Sequence, residues 1–335
     1  MNQLIRDLRT HLRADFRPDL YLATALLLAG LITLNYTIDL EDTYIDSYRG
    51  SWKRPVLYIL LYASIYYTAM GLWTYFHKRL DIWRDSRFWL HTGVGWVAYG
   101  FYAGFYGYNE WSQQLLGGQI YVFAFYCLSN LHSILTLVLP LFLYYKLVDR
   151  EPSYFYGLKP KREGLQVYAT LMLLMVPIVA VASFQTSFLD FYPTYKDTTA
   201  NEQLNVPEWV TALIYELSYG WDFLPTELMF RGFMVIGLSQ IFSNNQHGHA
   251  RPSVARPNVA RPSVARLGVV LPMVVAYASI HFGKPLGETI SSVFGGYLLG
   301  VLALYTRSIW GGLLIHLSIA WGMDGAAFLQ QWLRQ

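Results

Sequence analysis

Apolar stretches near or above the roughly 20 residues that carry an α-helix across a bilayer recur along this chain, at 19–38, 55–76, 88–108, 120–145 and 165–187. Four more follow. The segment 208–242 is long enough for a spanning helix plus a preceding piece broken near Pro225, and 267–282, 290–305 and 309–330 complete the set. Together they predict an all-α fold, a polytopic transmembrane helical bundle of about eight spans. Composition agrees: the 335 residues are 54% hydrophobic and 14% charged, where a soluble chain carries about 25% charge. A soluble enzyme is thereby excluded, and the 27 Tyr and 11 Trp fit rings that settle at a membrane interface.

Lys and Arg accumulate on the cytoplasmic side of a membrane protein. The loop 77–87 holds Lys78, Arg79, Arg84 and Arg87, and 146–164 holds Lys146, Arg150, Lys159, Lys161 and Arg162, so both are predicted to be cytoplasmic. Between them 109–118 has no basic residue, 188–207 has only Lys196, and 39–54 offsets its basic residues with Asp39, Glu41, Asp42 and Asp46. The alternation puts the N-terminus in the cytoplasm. Residues 1–18 form a predicted interfacial amphipathic helix, with an apolar stripe of Leu4, Leu8, Leu12 and Phe16 and arginines on its other faces. The spanning apolar stretch behind it, with no small-residue cleavage pattern, does not fit a signal peptide. Residues 19–187 are read as the N-terminal transmembrane helices and 208–330 as a C-terminal helical core. Within that core Ala250–Arg266, a five-residue repeat rich in proline and arginine, is expected to be an extended cytoplasmic loop. The single cysteine, Cys127, excludes an internal disulfide, and a scattered net charge of +3 gives no reason to expect nucleic acid.

Ionisable groups inside a bilayer are costly and usually line a polar cavity. Glu227 and Arg231, four apart in DFLPTELMFRGF, stack on one helix face, either as a plain buried ion pair or as part of a site. His281 ends the apolar run LPMVVAYASIH and His316 lies inside WGGLLIHLSIAW, whereas His91 and His132 are read as satisfied core histidines. At 1.5 Å per residue from the cytoplasmic helix ends, Glu227 lies about 24 Å deep, His281 about 22 Å and His316 about 13 Å. A carboxylate, two imidazoles and a guanidinium at mid-membrane contain the parts for water-mediated peptide hydrolysis: Glu227 takes a proton from water, the imidazoles donate to the oxyanion, and Arg231 orients the carboxylate. A divalent metal held by Glu227, His281 and His316 is the alternative, although there is no HExxH helix.

At these residues the sequence resembles the CPBP family of intramembrane endopeptidases, which includes the type II CAAX-prenyl proteases and bacteriocin-processing and immunity proteins. That family carries Glu-Glu-x-x-x-Arg, an aromatic-x-x-x-His and a His-x-x-x-Asn or Asp. Here these correspond to Thr226–Arg231, followed by Gly232 and Phe233, then to Tyr277–His281, and to a third motif that begins at His316 and has Ala320 in its last position. The resemblance covers about 208–330 and includes GGYLLG at 295–300, whose spacing allows close helix packing. It implies a first glutamate that activates water, where this chain has Thr226. Glu227 has then taken over that role, or Asp222 supplies the carboxylate, or the site is inactive. The donor lost at Ala320 is expected to be replaced by Asp324, or by the run with Lys284 and Glu288.

The function predicted is a membrane-embedded endopeptidase acting on a membrane-associated peptide or protein without a soluble cofactor. The competing readings are a catalytically inactive relative serving as a binding or immunity scaffold, and a proton-coupled transporter. The resemblance points to a bacterial cytoplasmic membrane, and the bilayer itself is the other expected partner.

Overall fold

The computed structural model describes residues 2–149, 154–159, 165–244 and 264–333. The Ala250–Arg266 repeat lies outside the described residues up to 263. Eleven main helical segments carry the fold. They are α1 (Asn2–Asp15), α2 (Pro18–Ile38), α3 (Lys53–Phe76), α4 (Ser86–Gly104), α5 (Gly118–Asp149), α6 (Leu165–Ala182), α7 (Glu208–Trp221), α8 (223–244), α9 (Val270–Ser279), α10 (Leu286–Thr306) and α11 (Trp310–Leu333). No strand occurs among the described residues.

Local chemistry sets several of these ends. Pro18 opens α2, where its fixed φ suits a first turn, and Asp39 closes the helix at a left-handed φ of 49°. The Asp85 carboxylate accepts the Arg87 backbone N–H at 2.9 Å and caps the start of α4. The break expected near Pro225 falls at Asp222, so that Pro225 stands in the first turn of α8, where a missing N–H costs nothing.

Among the described residues five helices are long and apolar enough to cross a membrane: α2, α3, α5, α10 and α11. The stretches expected to span at 88–108 and 165–187 form α4 and α6, of 19 and 18 residues, which fall outside that set. The stretch 267–282 yields the ten-residue α9.

The centre belongs to α8 and α9. Every residue from Leu228 to Gly237, a run of wide π-helical turns, is buried, and so is every residue of α9. A helix apolar all round belongs inside a bundle. Helix α8 packs on α4, α9 and α10, α9 packs on α3 and α10, and α11 packs on α6. In lipid such contacts rest on van der Waals packing, which small residues permit. A Cβ on Gly100 or Gly104 of α4 would stand 2.5 or 2.2 Å from the backbone of Ile59 or Pro55, so α3 and α4 touch main chain to main chain. Gly296 and Gly300 of α10 likewise face Tyr277 and Met273 of α9, the close packing that the GGYLLG spacing allows.

Helix α1 turns a polar face inward. Asp7, His11 and Asp15 are buried, and Asp15 accepts hydrogen bonds from the Trp73 indole at 2.8 Å and the Tyr21 hydroxyl at 3.1 Å. The His11 ring meets Tyr297 and Tyr305 edge-on. Of the apolar stripe, Leu8 is half-buried, Leu12 and Phe16 are 38% and 52% exposed, and the Leu4 side chain lies outside the described residues. Leu12 and Phe16 thus face outward, while Leu8 packs against the core.

Candidate active site

Glu227 stands in the first turns of α8 and Arg231 one turn on, both fully buried. Arg231 Nη1 lies 3.1 Å from Glu227 Oε1, and His316 Nδ1 of α11 approaches the same oxygen at 2.9 Å. Neither approach has hydrogen-bond geometry, so both Glu227 oxygens and all three guanidinium nitrogens keep hydrogen-bonding capacity that no described residue uses. Helix α11 comes this close because Gly312 has no side chain: a Cβ there would sit 2.1 Å from Glu227 Oε2. The residue count put His316 about two turns shallower than Glu227; in the structure the two side chains meet.

Tyr277 stands between the two histidines. Its hydroxyl is 2.9 Å from His316 Nε2, its ring carries the Arg231 guanidinium 3.8 Å from the ring centre, and the His281 ring meets it edge-on at 4.8 Å. His281 Nδ1 lies 2.9 Å from the Tyr277 carbonyl oxygen, which can only accept, so Nδ1 carries the proton and Nε2 presents a lone pair. The structure therefore brings Glu227, Arg231 and His316 into direct contact and joins His281 to them through Tyr277. Among the described residues no three His, Cys, Asp or Glu side chains converge closely enough to hold a metal ion.

The other sequence candidates lie around this centre. Asp222, in the break between α7 and α8, accepts from the Tyr102 hydroxyl, which is 2.7 and 2.9 Å from its two oxygens. The Thr226 hydroxyl donates to the Asp222 carbonyl at 3.1 Å. Asp324 and Glu288 fasten a strap. The short helix Thr186–Phe191 and the irregular residues 192–198 run across α10 and α11, with the Tyr192 hydroxyl donating to Glu288 at 2.9 Å and Thr194 donating to Asp324 from its N–H at 2.9 Å and its hydroxyl at 2.5 Å. Lys284 lies over the Phe191 ring at 4.3 Å, beneath the same strap. Ala320 is buried one turn beyond His316 and offers no polar atom. His91 and His132 are buried and bonded to backbone carbonyls, as core histidines are.

Sequence reasoning missed Gly312, Tyr102 and the strap. The Gly-Gly pair at the start of α11 was the available signal for a close approach. Truncating Asp324 to alanine removes both bonds to Thr194 and leaves its N–H unpaired, at a cost of about 1–3 kcal/mol. Asp324→Ala is thus expected to lower the thermal midpoint and to speed proteolytic nicking within 186–199; wild-type nicking would mean that the strap is held elsewhere.

A chain whose described residues hold five apolar helices of spanning length and no strand, with a carboxylate, a guanidinium and an imidazole gathered in its interior, is of the integral membrane class. Residues 209–322, about a third of the chain, match the family model Rce1-like, described as Type II CAAX prenyl endopeptidase Rce1-like, and the match is consistent with a CPBP family protease. No curated protein and no solved structure matches the chain.

Proposed function

We propose that this protein hydrolyses a peptide bond of a membrane-associated peptide or protein, with Glu227 as the group that activates water. The observation that carries the reading is the position of Glu227, buried between Arg231 and His316 with hydrogen-bonding capacity to spare. In this reading Glu227 takes a proton from water as the oxygen attacks the carbonyl carbon, the oxyanion is met on the side where His316, Tyr277 and His281 cluster, and the C–N bond breaks as the proton passes to the leaving amine. Arg231 holds the carboxylate in place, and the lone pair on His281 Nε2 is a second acceptor for the water proton. The loop charges support a cytoplasmic N-terminus and about eight spans, and the family resemblance supports a bacterial cytoplasmic membrane.

The test is to reconstitute the full chain in liposomes with membrane-tethered peptides and to look by mass spectrometry for new termini, with His281→Ala and His316→Ala alongside. Cleavage by the wild type, lost in both variants, supports the reading; cleavage at an equal rate in both variants would sink it. A second reading, an inactive scaffold, is favoured by Thr226, whose hydroxyl is spent on the Asp222 carbonyl where the family has its first glutamate.

A further inference from the structure

We infer that the Tyr277 hydroxyl is the neutral donor to the oxyanion in this site, in place of the side chain that Ala320 lacks. The inference rests on the peptidase reading and follows from a count of donors. Neutral His281 has one N–H, and the Tyr277 carbonyl holds it. His316 Nε2 lies 2.9 Å from the Tyr277 hydroxyl and its Nδ1 2.9 Å from a Glu227 oxygen, out of hydrogen-bond line, so an N–H on Nε2 is spent on the Tyr277 oxygen and one on Nδ1 faces the carboxylate. Both imidazoles thus turn their N–H groups away from an incoming carbonyl. Arg231 lies flat against the Tyr277 ring, beside Glu227. Ala320, next along the face of α11 that carries His316, ends in a methyl group.

The phenol is the neutral donor that remains. Tyr277 is 3% exposed and its ring is fixed on three sides, by the Arg231 guanidinium, by His281 and by Gly296, where a Cβ would lie 2.9 Å from the ring. A hydroxyl on a ring held this way is preorganised, and it redirects its hydrogen by turning about one C–O bond. As negative charge develops on the carbonyl oxygen, the O–H turns toward it and donates to the oxyanion. It keeps its proton throughout, so the step adds no proton transfer to the hydrolysis. His316 stays beside Glu227 and positions the base.

Tyr277→Phe removes one oxygen and keeps the ring under Arg231. In the liposome assay kcat is expected to fall roughly 10²–10³-fold with KM nearly unchanged, the size of effect seen when one oxyanion donor is lost. Tyr277→Phe/Ala320→Asn, which returns a donor from α11, is expected to recover part of that loss. A merely structural role would lower the thermal midpoint without this kcat effect or its recovery. A second measurement does not need turnover: a peptide phosphonate, whose tetrahedral centre mimics the oxyanion, is expected to bind the wild type more tightly than Tyr277→Phe, with equal binding by a ground-state peptide. Unchanged kcat in Tyr277→Phe, or equal phosphonate affinity in the two proteins, overturns the inference while leaving the peptidase reading intact. A wild type that neither cleaves nor binds the phosphonate overturns both.

Discussion

Glu227→Gln is expected to slow hydrolysis by roughly 10²–10⁴-fold, the range over which a positioned general base contributes. Glutamine keeps the shape of the side chain, and therefore its seat against Gly312, but cannot take a proton from water. The substitution also acts on stability, because Arg231 is fully buried beside it. Removing one partner of a buried ion pair leaves an uncompensated charge, at a cost of about 3–5 kcal/mol. The two effects separate in a double variant. Glu227→Gln/Arg231→Met replaces the pair by neutral side chains, so the thermal midpoint should return toward wild type while cleavage stays low. Wild-type cleavage in Glu227→Gln would transfer the role of base to another group, with Asp222 next in line. Equal biological rescue by the wild type and by Glu227→Gln, with no peptide cut by either, would favour the scaffold.

The second large effect is expected at Gly312. Alanine there places a methyl carbon 2.1 Å from Glu227 Oε2 and 2.8 Å from its carboxyl carbon, so either the carboxylate or α11 must move. Overpacking of this kind costs about 1–3 kcal/mol. Function should suffer more than stability, because His316 lies one turn along the same helix and its 2.9 Å approach to Glu227 depends on where α11 sits. A misplacement of about 1 Å costs on the order of 10²-fold in rate. Gly322→Ala is the matched control: it lies on α11 with nothing within 4 Å of the added carbon, and alanine gains up to about 1 kcal/mol of helix propensity. Thermal midpoints and cleavage rates of the two variants, measured side by side, check the argument, and equal rates would refute it.

How much of this was legible in the sequence depends on what each residue needs. Helices α2 and α3 fall where the apolar stretches 19–38 and 55–76 lie, since length and apolarity are local properties. The pairing of Glu227 with Arg231 was readable for the same reason, four residues being one turn. The meeting of His316 with Glu227 was not, because a residue count assumes parallel helices of equal start and cannot register that Gly312 lets α11 approach so closely. Asp324 and Glu288 carried the right chemistry for a donor site, yet their partners, Thr194 and Tyr192, come from a strap more than ninety residues earlier in the chain. On α1 two four-residue patterns coexist, Leu8, Leu12 and Phe16 on one face and Asp7, His11 and Asp15 on another. Periodicity alone does not say which of them docks.

The central position of α8 and α9 bears on how the protein can be divided. The stretch that matches the family model begins at residue 209, but α3 and α4, which cover α9 and α8, come from the first third of the chain. Cut out by itself, 209–322 would present Phe233 and Met229, which now face Gly95 of α4, to lipid or detergent. The early helices are therefore the outer wall of α8 and α9, and the matched segment is not severable: truncation from the N-terminal side would strip that wall before it reached Glu227, Arg231, Tyr277 or His316.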